Sequence, residues 1–583
     1  MCPEANRHSY SSFAAVLSSL RRAFVVIGLT SGFINILALT GSFFMLQVYD
    51  RVVPGRSLPT LAGLAIIAAS LYIFQGVLEL LRSMLLVRIG TSVDERLSRS
   101  AISSLIYLPA RMQMPGNGLQ AIRDVDQVRS FLSGSGPAAL FDLPWMPFYL
   151  ALCFVFHFWI GVTALCGSII LISLTIFAEF MTRERSQKAT RLAAARIEFA
   201  EATRRNWEVV LAMGFMHRVA DRWADVNRSF LTGQMRASDI VGGLSIISRI
   251  LRMMLQSTML GVGAILVIEQ QASGGIMIAS SILVSRALAP VELAIGQWKG
   301  FVSARQSWSR MRRLMEMLPD NDWSVELPAP TSSLSVENIV VAAPGTREII
   351  VRNAKFEISS GTALGIIGPS ASGKSSLVRA IAGVWPVLAG SVRLDHAPLA
   401  QWRPEELGKH IGYLPQDVAL FDGSISENIA RFDPDAPSEA IIAAAKAAGI
   451  YEMIVELPDG FDTRVGDGGS RLSAGQRQRL ALARALYGAP FLVILDEPNS
   501  NLDADGDAAL TQALLGVRAR GGIAIIVAHR PTALVAVDQV LVMQNGQVQA
   551  FGPKEEVLRK ALRVEPGEAP APAVRLVANE EAG

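Results

Sequence analysis

The sequence GPSASGKS, at residues 368–375, decides the fold of the C-terminal part of the chain. It follows an apolar stretch at residues 363–367 that is typical of a buried strand, and it leads into residues 376–382, which are typical of a helix. In such a loop the glycines let backbone N–H groups surround a phosphate, Lys374 reaches the β and γ oxygens of a nucleotide, and the Ser375 hydroxyl can bind Mg²⁺. The positive N-terminal end of the helix points at the same anion. The pattern predicts a nucleoside-triphosphate site.

The chain is too long and too apolar for a single soluble domain. It has 583 residues, of which 51% are hydrophobic and 18% are charged, and its mean hydropathy is +0.35. These values indicate two or three domains and several membrane-spanning segments. The net charge of +3 gives no reason to expect nucleic-acid binding. Because residues 1–10 are polar, we expect no cleavable signal peptide.

Six apolar stretches precede residue 320, and each has about the 20 residues needed to cross a bilayer. We place the spans at residues 24–46, 61–81, 139–158, 160–180, 248–268 and 275–298. The connections at residues 83–136 and 181–241 are long, rich in arginine and typical of helices. The other connections are short: residues 47–60, a tight turn near residues 157–159, and residues 269–274. Since positively charged loops stay in the cytoplasm, both termini are predicted to be cytoplasmic.

The composition changes after Pro319. Residues 319–333 are typical of a linker, and over residues 334–560 short β-branched strands alternate with helices, which predicts a soluble α/β domain. Residues 561–583 are rich in Pro, Ala and Glu and are predicted to be disordered. The predicted fold is therefore multidomain, with an N-terminal segment at residues 1–23, a six-helix all-α transmembrane domain at residues 24–318, and the α/β nucleotide-binding domain.

Acidic residues follow a second apolar strand. Residues 491–495 are almost unbroken in apolar character, as in a central parallel strand, and Asp496 and Glu497 come directly after them. At the carboxyl end of such a strand Asp496 is placed to hold Mg²⁺, directly or through water, and Glu497 to polarise a water in line with the γ-phosphate. In isolation, a strand that merely ends in acidic turn residues is the alternative.

Three further features belong with these carboxylates. The sequence LSAGQ at residues 472–476 precedes a helical run, so that Ser473 and the N–H groups after it form a second anion site. Gln416, in GYLPQD, suits a metal or water contact, and His529, after the apolar residues 523–528, suits a hydrogen bond to a γ-phosphate. Because one nucleotide needs one phosphate cradle, the second site suggests that two copies of the domain face each other.

This set of motifs resembles the nucleotide-binding domain of ABC (ATP-binding cassette) transporters over residues 334–560. The resemblance implies that Gln416 is the Q-loop glutamine, Asp496 the Walker B aspartate and Glu497 the general base. It makes His529 the switch histidine and residues 500–503 the D-loop, which ends in Asp503. The remaining nucleotide contacts fall on two motifs, Walker A (Gly368, Pro369, Ser370, Ala371, Ser372, Gly373, Lys374, Ser375 and Ser376) and the signature (Leu472, Ser473, Ala474, Gly475 and Gln476).

In that family two such domains pack head to tail, and each ATP lies between one Walker A motif and the opposite signature. A chain with one of each is therefore expected to act as a homodimer that binds ATP and Mg²⁺. Two positions depart from the pattern. Ala343 stands before Pro344 and Gly345, where many exporters have a tyrosine that stacks on adenine, so we expect weak discrimination between ATP and GTP. Ala474 replaces the usual signature glycine, with strain only if its φ is positive.

The membrane half resembles type I secretion exporters, and most closely the PrtD-like branch that exports proteases and RTX proteins. The similar stretches are FMLQVYDRVVPGRSLPTL at residues 44–61, FDLPWMPFYL at 141–150, ASSILVSRALAPVELAIGQW at 279–298 and GVWP at 383–386. The resemblance implies ATP-driven export of an unfolded protein with a C-terminal signal across the bacterial inner membrane, with the ATPase domain in the cytoplasm. The implied partners are a periplasmic membrane-fusion adaptor and an outer-membrane channel. Since the first span begins near Phe24, we expect no N-terminal peptidase domain.

Less specific expectations concern coupling and the transport path. By position in the family layout, residues 121–129 and 206–213 are expected to dock near Gln416, with solvated helical stalks as the alternative. Arg286 lies near the middle of the sixth span and should face a water-filled path or an acidic partner such as Glu292. Two other functions stay open: a lipid or drug exporter of the same architecture, and a nucleotide-gated channel or regulator without productive hydrolysis.

Overall fold

The computed structural model describes residues 7–109, 119–317, 327–346, 348–528 and 530–562. The chain divides into two compact units. The first comprises residues 1–108 and 114–320, and the second comprises residues 109–113 and 321–583.

Helices build the described part of the first unit. They are α1 (Arg7–Leu37), α2 (Thr40–Gln47), α3 (Val53–Gly55), α4 (Leu58–Tyr107), α5 (Gln120–Ser133), α6 (Gly136–Asp142), α7 (Met146–Phe156), α8 (Phe158–Arg205), α9 (Trp207–Ala212), α10 (Met216–Ile268) and α11 (Gly274–Met317). A π-helical turn, Val48–Val52, joins α2 to α3, and a 3₁₀ turn, Leu143–Trp145, joins α6 to α7.

Most of the predicted spans fall on helical stretches long and apolar enough to cross a membrane. Within the described residues there are five, namely Arg21–Gly55, Leu58–Tyr107, Gly136–Phe156, Met216–Ile268 and Gly274–Met317. A shorter apolar stretch, Phe158–Leu174, begins α8 where the fourth span is predicted. The expected turn near residue 158 is present, because His157 adopts an extended conformation between α7 and α8.

The predicted short loop at residues 47–60 is instead largely helical. The π-helical turn continues the chain from α2 into α3, and Pro54 lies in the first turn of α3, where its missing N–H costs nothing. Only Arg56, with a φ of +45°, and Ser57 separate α3 from α4. The polar residues and the proline of this stretch predicted a loop. The prediction was wrong because these residue types are also common in the first turn of a helix.

The two predicted coupling segments differ in their surroundings. Residues Ala121, Val125 and Val128 of α5 are buried, and they join one apolar cluster with residues of α4 and with Met311 of α11. In contrast, α9 and the residue after its C-terminal end expose large apolar side chains, namely Trp207, Val209, Leu211 and Met213. An exposed apolar surface supports the docking role expected of residues 206–213, which stays a prediction.

An ion pair joins α10 to α11 near the proline inside α11. Arg252 Nη1 lies 2.7 Å from Glu292 Oε2, two residues beyond Pro290. Glu292, which was the expected alternative partner of Arg286, is therefore engaged by another arginine. Arg286 itself is exposed on α11.

The described part of the second unit alternates strands and helices. The strands are β1 (Ser333–Ala342), β2 (Ile349–Ser359), β3 (Ala363–Ile367), β4 (Ala389–Leu394), β5 (Ala397–Pro398), β6 (Ile411–Leu414), β7 (Leu492–Asp496), β8 (Ile523–Val527), β9 (Gln539–Gln544) and β10 (Gln547–Pro553). The helices are α12 (Lys374–Ile381), α13 (Pro404–His410), α14 (Ile425–Ile429), α15 (Ser438–Ala447), α16 (Tyr451–Val455), α17 (Ala474–Leu486), α18 (Ala504–Ala519) and α19 (Lys554–Leu562).

The larger of two sheets positions the predicted site. Its strand order is β10-β9-β3-β8-β7-β6, and all neighbours from β9 to β6 are parallel. Strands β7 and β8 are buried along their whole length, as expected of central parallel strands whose sequences are apolar except for Asp496 at the end of β7. The smaller antiparallel sheet, β2-β1-β4-β5, contributes to the core on the face that also packs α12. The carboxyl ends of β3, β8, β7 and β6 therefore meet at one edge, where ligands bind in open α/β sheets.

Candidate nucleotide-hydrolysis site

The phosphate-binding loop leaves the sheet at the end of β3 and enters α12. Gly368 has a φ of +153°, and a Cβ there would collide with the carbonyl oxygen of Met543. Gly373 is the N-cap of α12 with a φ of +96°, and a Cβ there would lie 3.3 Å from the carbonyl oxygen of Ile350. Both positions therefore require glycine, which brings the loop close to its neighbouring strands and leaves its N–H groups for an anion.

Lys374 lies across this loop. Its Nζ donates to the carbonyl oxygens of Gly368, at 3.0 Å, and Pro369, at 2.8 Å, and the residue is 5% exposed. Burial lowers the pKa of Lys374, although the nearby carboxylates of Glu497 and Asp496 oppose this. A partly desolvated ammonium group is suited to charge-assisted hydrogen bonds with phosphate oxygens, which is the role predicted for Lys374.

The predicted metal ligands Ser375 and Asp496 are in contact. Ser375 Oγ donates to Asp496 Oδ1 at 3.1 Å, and Asp496, at the end of β7, is fully buried. Burial raises the pKa of Asp496, whereas the Ser375 hydrogen bond and the charge of Arg379 lower it. Within the described residues Asp496 Oδ2 is buried without a hydrogen-bond partner. A hydroxyl and an unpartnered carboxylate oxygen side by side fit Mg²⁺, which prefers oxygen ligands.

Gln416 and Glu497 meet across the ends of neighbouring strands. Gln416 comes two residues after β6, and its Nε2 donates to Glu497 Oε2 at 3.1 Å. Glu497 has a φ of +52°, which turns the chain out of β7 at the sheet edge. A non-glycine residue in this region is uncommon and is frequent at active sites. The structure therefore brings the predicted base and the predicted Q-loop glutamine together.

His529 lies outside the described residues. The strand before it, β8, pairs with β3 on one side and with β7 on the other. Its role as the switch histidine stays a prediction.

The signature motif forms the start of α17. Ser473 is the N-cap, its Oγ accepts from the Gln476 N–H at 3.2 Å, and Gln476 Oε1 accepts from the Ser473 N–H at 2.9 Å. Ala474 is the first residue of the helix and is not among the residues with positive φ. The strain considered for this alanine is therefore absent.

Asp503 serves as the N-cap of α18. Its Oδ1 accepts from the Gly506 N–H at 2.9 Å and from Arg479 of the signature helix. These two hydrogen bonds hold the pKa of Asp503 below its usual range. The structure thus places Asp503 between α18 and the signature helix, and its predicted contact with the nucleotide stays a prediction.

Gln478 is a residue near this site that the motifs did not indicate. This residue lies on the buried face of α17 together with Ala481, Leu482 and Ala485. A glutamine at helical spacing among apolar residues is a detectable signal, because a buried amide needs hydrogen-bond partners.

These groups define an ATPase-type site in an α/β domain, on a chain whose other part consists of long apolar helices. Two protein-family profiles match the chain: "ABC transporter" over residues 351–500 and "ABC transporter transmembrane region" over residues 24–290. The chain belongs to the ABC transporter family, as the motifs predicted, and it is a multi-pass membrane protein with an ATPase domain.

Individual relatives cover nearly the whole chain. It is 55% identical over 550 residues to the type I secretion system ATP-binding protein PrsD of Rhizobium meliloti (strain 1021), which is 94% of each chain. It is 29% identical over 563 residues to the leukotoxin translocation ATP-binding protein LktB of Mannheimia haemolytica, which is 95% of this chain and 79% of that protein. In fold it is similar to a bacterial Atm1-family ABC exporter with ATP bound, with a TM-score of 0.82, 22% identity and coverage of 94% of this chain and 100% of that one.

Proposed function

We propose that the chain is the ATP-driven exporter of a type I secretion system, which moves an unfolded protein across the bacterial inner membrane. One observation carries the proposal: the 55% identity to PrsD extends over 94% of both chains, and so includes the apolar helices as well as the ATPase domain. A lipid or drug exporter of the same architecture would share the ATPase motifs without this identity in the membrane half.

The positions of the side chains support ATP hydrolysis. Lys374 binds the β- and γ-phosphate oxygens, and Glu497 orients and polarises the attacking water. Gln416, hydrogen-bonded to Glu497, fixes the orientation of that carboxylate. Ser375 and Asp496 would hold Mg²⁺, which neutralises charge on the phosphate oxygens when it is bound. Both Glu497 and its supporting groups are present, which favours an enzyme over a nucleotide-gated regulator.

The active assembly in this proposal is a homodimer. The chain carries one phosphate-binding loop and one signature motif, so two complete sites require two copies in which each signature faces the other copy's loop. In such a dimer the capping box of Ser473 and Gln476 would fix the helix start that faces the partner's nucleotide.

The proposed surroundings follow from the type I secretion relatives. Both termini and the ATPase domain lie in the cytoplasm. The partners are a periplasmic membrane-fusion adaptor, an outer-membrane channel and a secreted protein with a C-terminal signal.

Glu497→Gln tests the enzymatic part. In full-length protein in lipid nanodiscs, we expect ATP hydrolysis to fall at least about 100-fold while ATP binding is retained. The exposed Glu456→Gln is the matched control and should hydrolyse ATP at the wild-type rate. A wild-type protein that binds ATP without turnover would favour the regulator instead.

Export itself is tested in cells that also contain the adaptor, the channel and a candidate substrate encoded nearby. The substrate should appear outside the cell only with wild-type chain and only with its C-terminal signal intact. Stimulation of the ATPase by lipids or drugs, and not by the substrate, would contradict the proposal.

A further inference from the structure

Gln478 crosses from the signature helix α17 to the loop after β7. The residue is 2% exposed. Its Nε2 donates to the carbonyl oxygen of Pro498, and the same Nε2 lies 3.4 Å from the carbonyl oxygen of Glu497. Its Oε1 accepts from the N–H of Asn501 at 3.2 Å. Both ends of one buried amide therefore bind the backbone of residues 497–501.

The backbone of this loop needs such a side chain. Glu497 turns out of the sheet with a φ of +52°, and Pro498 has no N–H to extend a ladder. Carbonyl groups at this turn cannot pair with a neighbouring strand, and a buried carbonyl left unpaired is costly. On the sheet side, the Glu497 N–H donates to the carbonyl of Val527 at 3.3 Å. Glu497 is thus held by β8 on one side and by Gln478 on the other.

A second contact ties the same two segments together. A Cβ on Gly475, in the signature, would lie 3.0 Å from the carbonyl oxygen of Asn501. The signature helix α17 therefore packs closely against residues 497–501 at two places, at Gly475 and about one turn later at Gln478. Any displacement of the start of α17 acts on the backbone that carries Glu497.

We propose that Gln478 is a positioning residue that couples the two ATP sites of the homodimer. The inference rests on the proposed head-to-tail assembly, in which the signature meets the nucleotide of the partner while Glu497 acts on the nucleotide of its own chain. Nucleotide capture at one site fixes α17, and the Gln478 amide carries that constraint to residues 497–501 of the other site. The coupling is reciprocal, as for any linkage between binding sites.

The test uses the full-length protein in nanodiscs and compares wild type with Gln478→Met, which has a similar length but neither hydrogen bond. We expect the maximal hydrolysis rate to fall about tenfold or more, the loss typical of a buried hydrogen bond. The Hill coefficient for ATP should fall from above 1 in wild type to 1. ATP affinity without Mg²⁺ should stay within about twofold, because Lys374 and its loop are untouched.

Gln478→Glu separates the two ends of the amide. It keeps the acceptor for the Asn501 N–H and loses the donor to the Pro498 carbonyl, so we expect it to behave like Gln478→Met. Asn428→Ala controls for stability, since Asn428 is a fully buried amide of the same domain that binds Phe421 and Ser424. Its melting temperature should fall while its Hill coefficient stays at the wild-type value.

Two results would overturn the inference. One is a wild-type Hill coefficient above 1 that persists in Gln478→Met. The other is a wild-type coefficient of 1, which removes the coupling itself and leaves the proposed function to be judged by the export experiment.

Discussion

Arg310 of α11 binds Asp124 of α5 at two points. Arg310 Nε donates to Asp124 Oδ2 at 2.8 Å, and Nη2 donates to Oδ1 at 2.6 Å. Ser307 and Gln120 each donate to Oδ1 at 2.9 Å. The pair fixes α5, which lies in the first of the two long arginine-rich connections (residues 83–136), to the part of α11 that follows the predicted sixth span.

We expect Arg310→Ala to destabilise the protein more than Asp124→Asn. The carboxylate of Asp124 is 2% exposed, so the loss of Arg310 leaves a buried charge without a counter-ion, at about 3–5 kcal/mol. Asp124→Asn removes the charge itself, and Arg310, 44% exposed, can reach water, so its cost is about 1–2 kcal/mol. The melting temperatures of the two variants in the same detergent measure this order.

Arg312→Ala is the control for this pair. Arg312 forms an ion pair with Glu316 on an exposed part of the same helix, and such pairs contribute about 0.5 kcal/mol or less. Equal melting temperatures for Arg310→Ala and Arg312→Ala would contradict a stabilising role of the buried pair.

The parts of the site that were predicted from the sequence are those that depend on local patterns. Strands β3, β7 and β8 are apolar except for Asp496 at the end of β7, and Gly368 and Gly373 have positive φ angles that favour glycine. What the sequence could not give are contacts between distant residues. The bond from Gln416 to Glu497 exists because β6 is the neighbour of β7, and the strand order is not a local property. Asp124 and Arg310 are 186 residues apart in the sequence, and their contact depends on the packing of α5 against α11, which no local pattern encodes.

We predict that Ala343→Tyr strengthens ATP binding and sharpens the discrimination against GTP. Ala343 is half-buried and opens a turn over Pro344 and Gly345, in which the Thr346 N–H donates to the Ala343 carbonyl at 3.0 Å. Its methyl group provides no ring for a base, whereas an aromatic stack contributes about 1–3 kcal/mol. Binding of ATP and GTP to both proteins by fluorescence titration checks this. The prediction is wrong if wild type already binds ATP much more tightly than GTP and the variant shows the same ratio of affinities.

Asp395 holds residues 331–333, at the start of the ATPase domain, by hydrogen bonds that we expect to weaken in acid. Its carboxylate accepts from the N–H groups of Thr331, Ser332 and Ser333 at 2.6–2.8 Å. Burial raises its pKa, but these hydrogen bonds together outweigh burial and hold the pKa of Asp395 below its usual value. Because the folded pKa is below that of the unfolded chain, about 3.9, this stability is present above that pH and is lost as the pH falls through the folded value.

We therefore expect Asp395→Asn to lower the free energy of unfolding at pH 7 by about 1 kcal/mol or more, and so to lower the melting temperature. The difference in melting temperature between the variant and wild type should narrow towards pH 3. Melting temperatures at pH 7, 5, 4 and 3 measure it. The exposed Asp459→Asn should match wild type at pH 7. A constant difference at all four values would show that the charge of Asp395 is not what anchors residues 331–333.

Arg286 is the strongest candidate for a contact with the exported chain. It is exposed on α11 four residues before Pro290, and Glu292 pairs with Arg252 instead. Since a charge near the bilayer centre costs about 3 kcal/mol or more against lipid, its exposed side should face water. We expect Arg286→Ala to reduce export about tenfold, the effect of roughly 1.4 kcal/mol of lost interaction, while ATP hydrolysis without substrate stays at the wild-type rate. The exposed Arg222→Ala on α10 is the control, and full export by Arg286→Ala at normal expression would place this arginine outside the path.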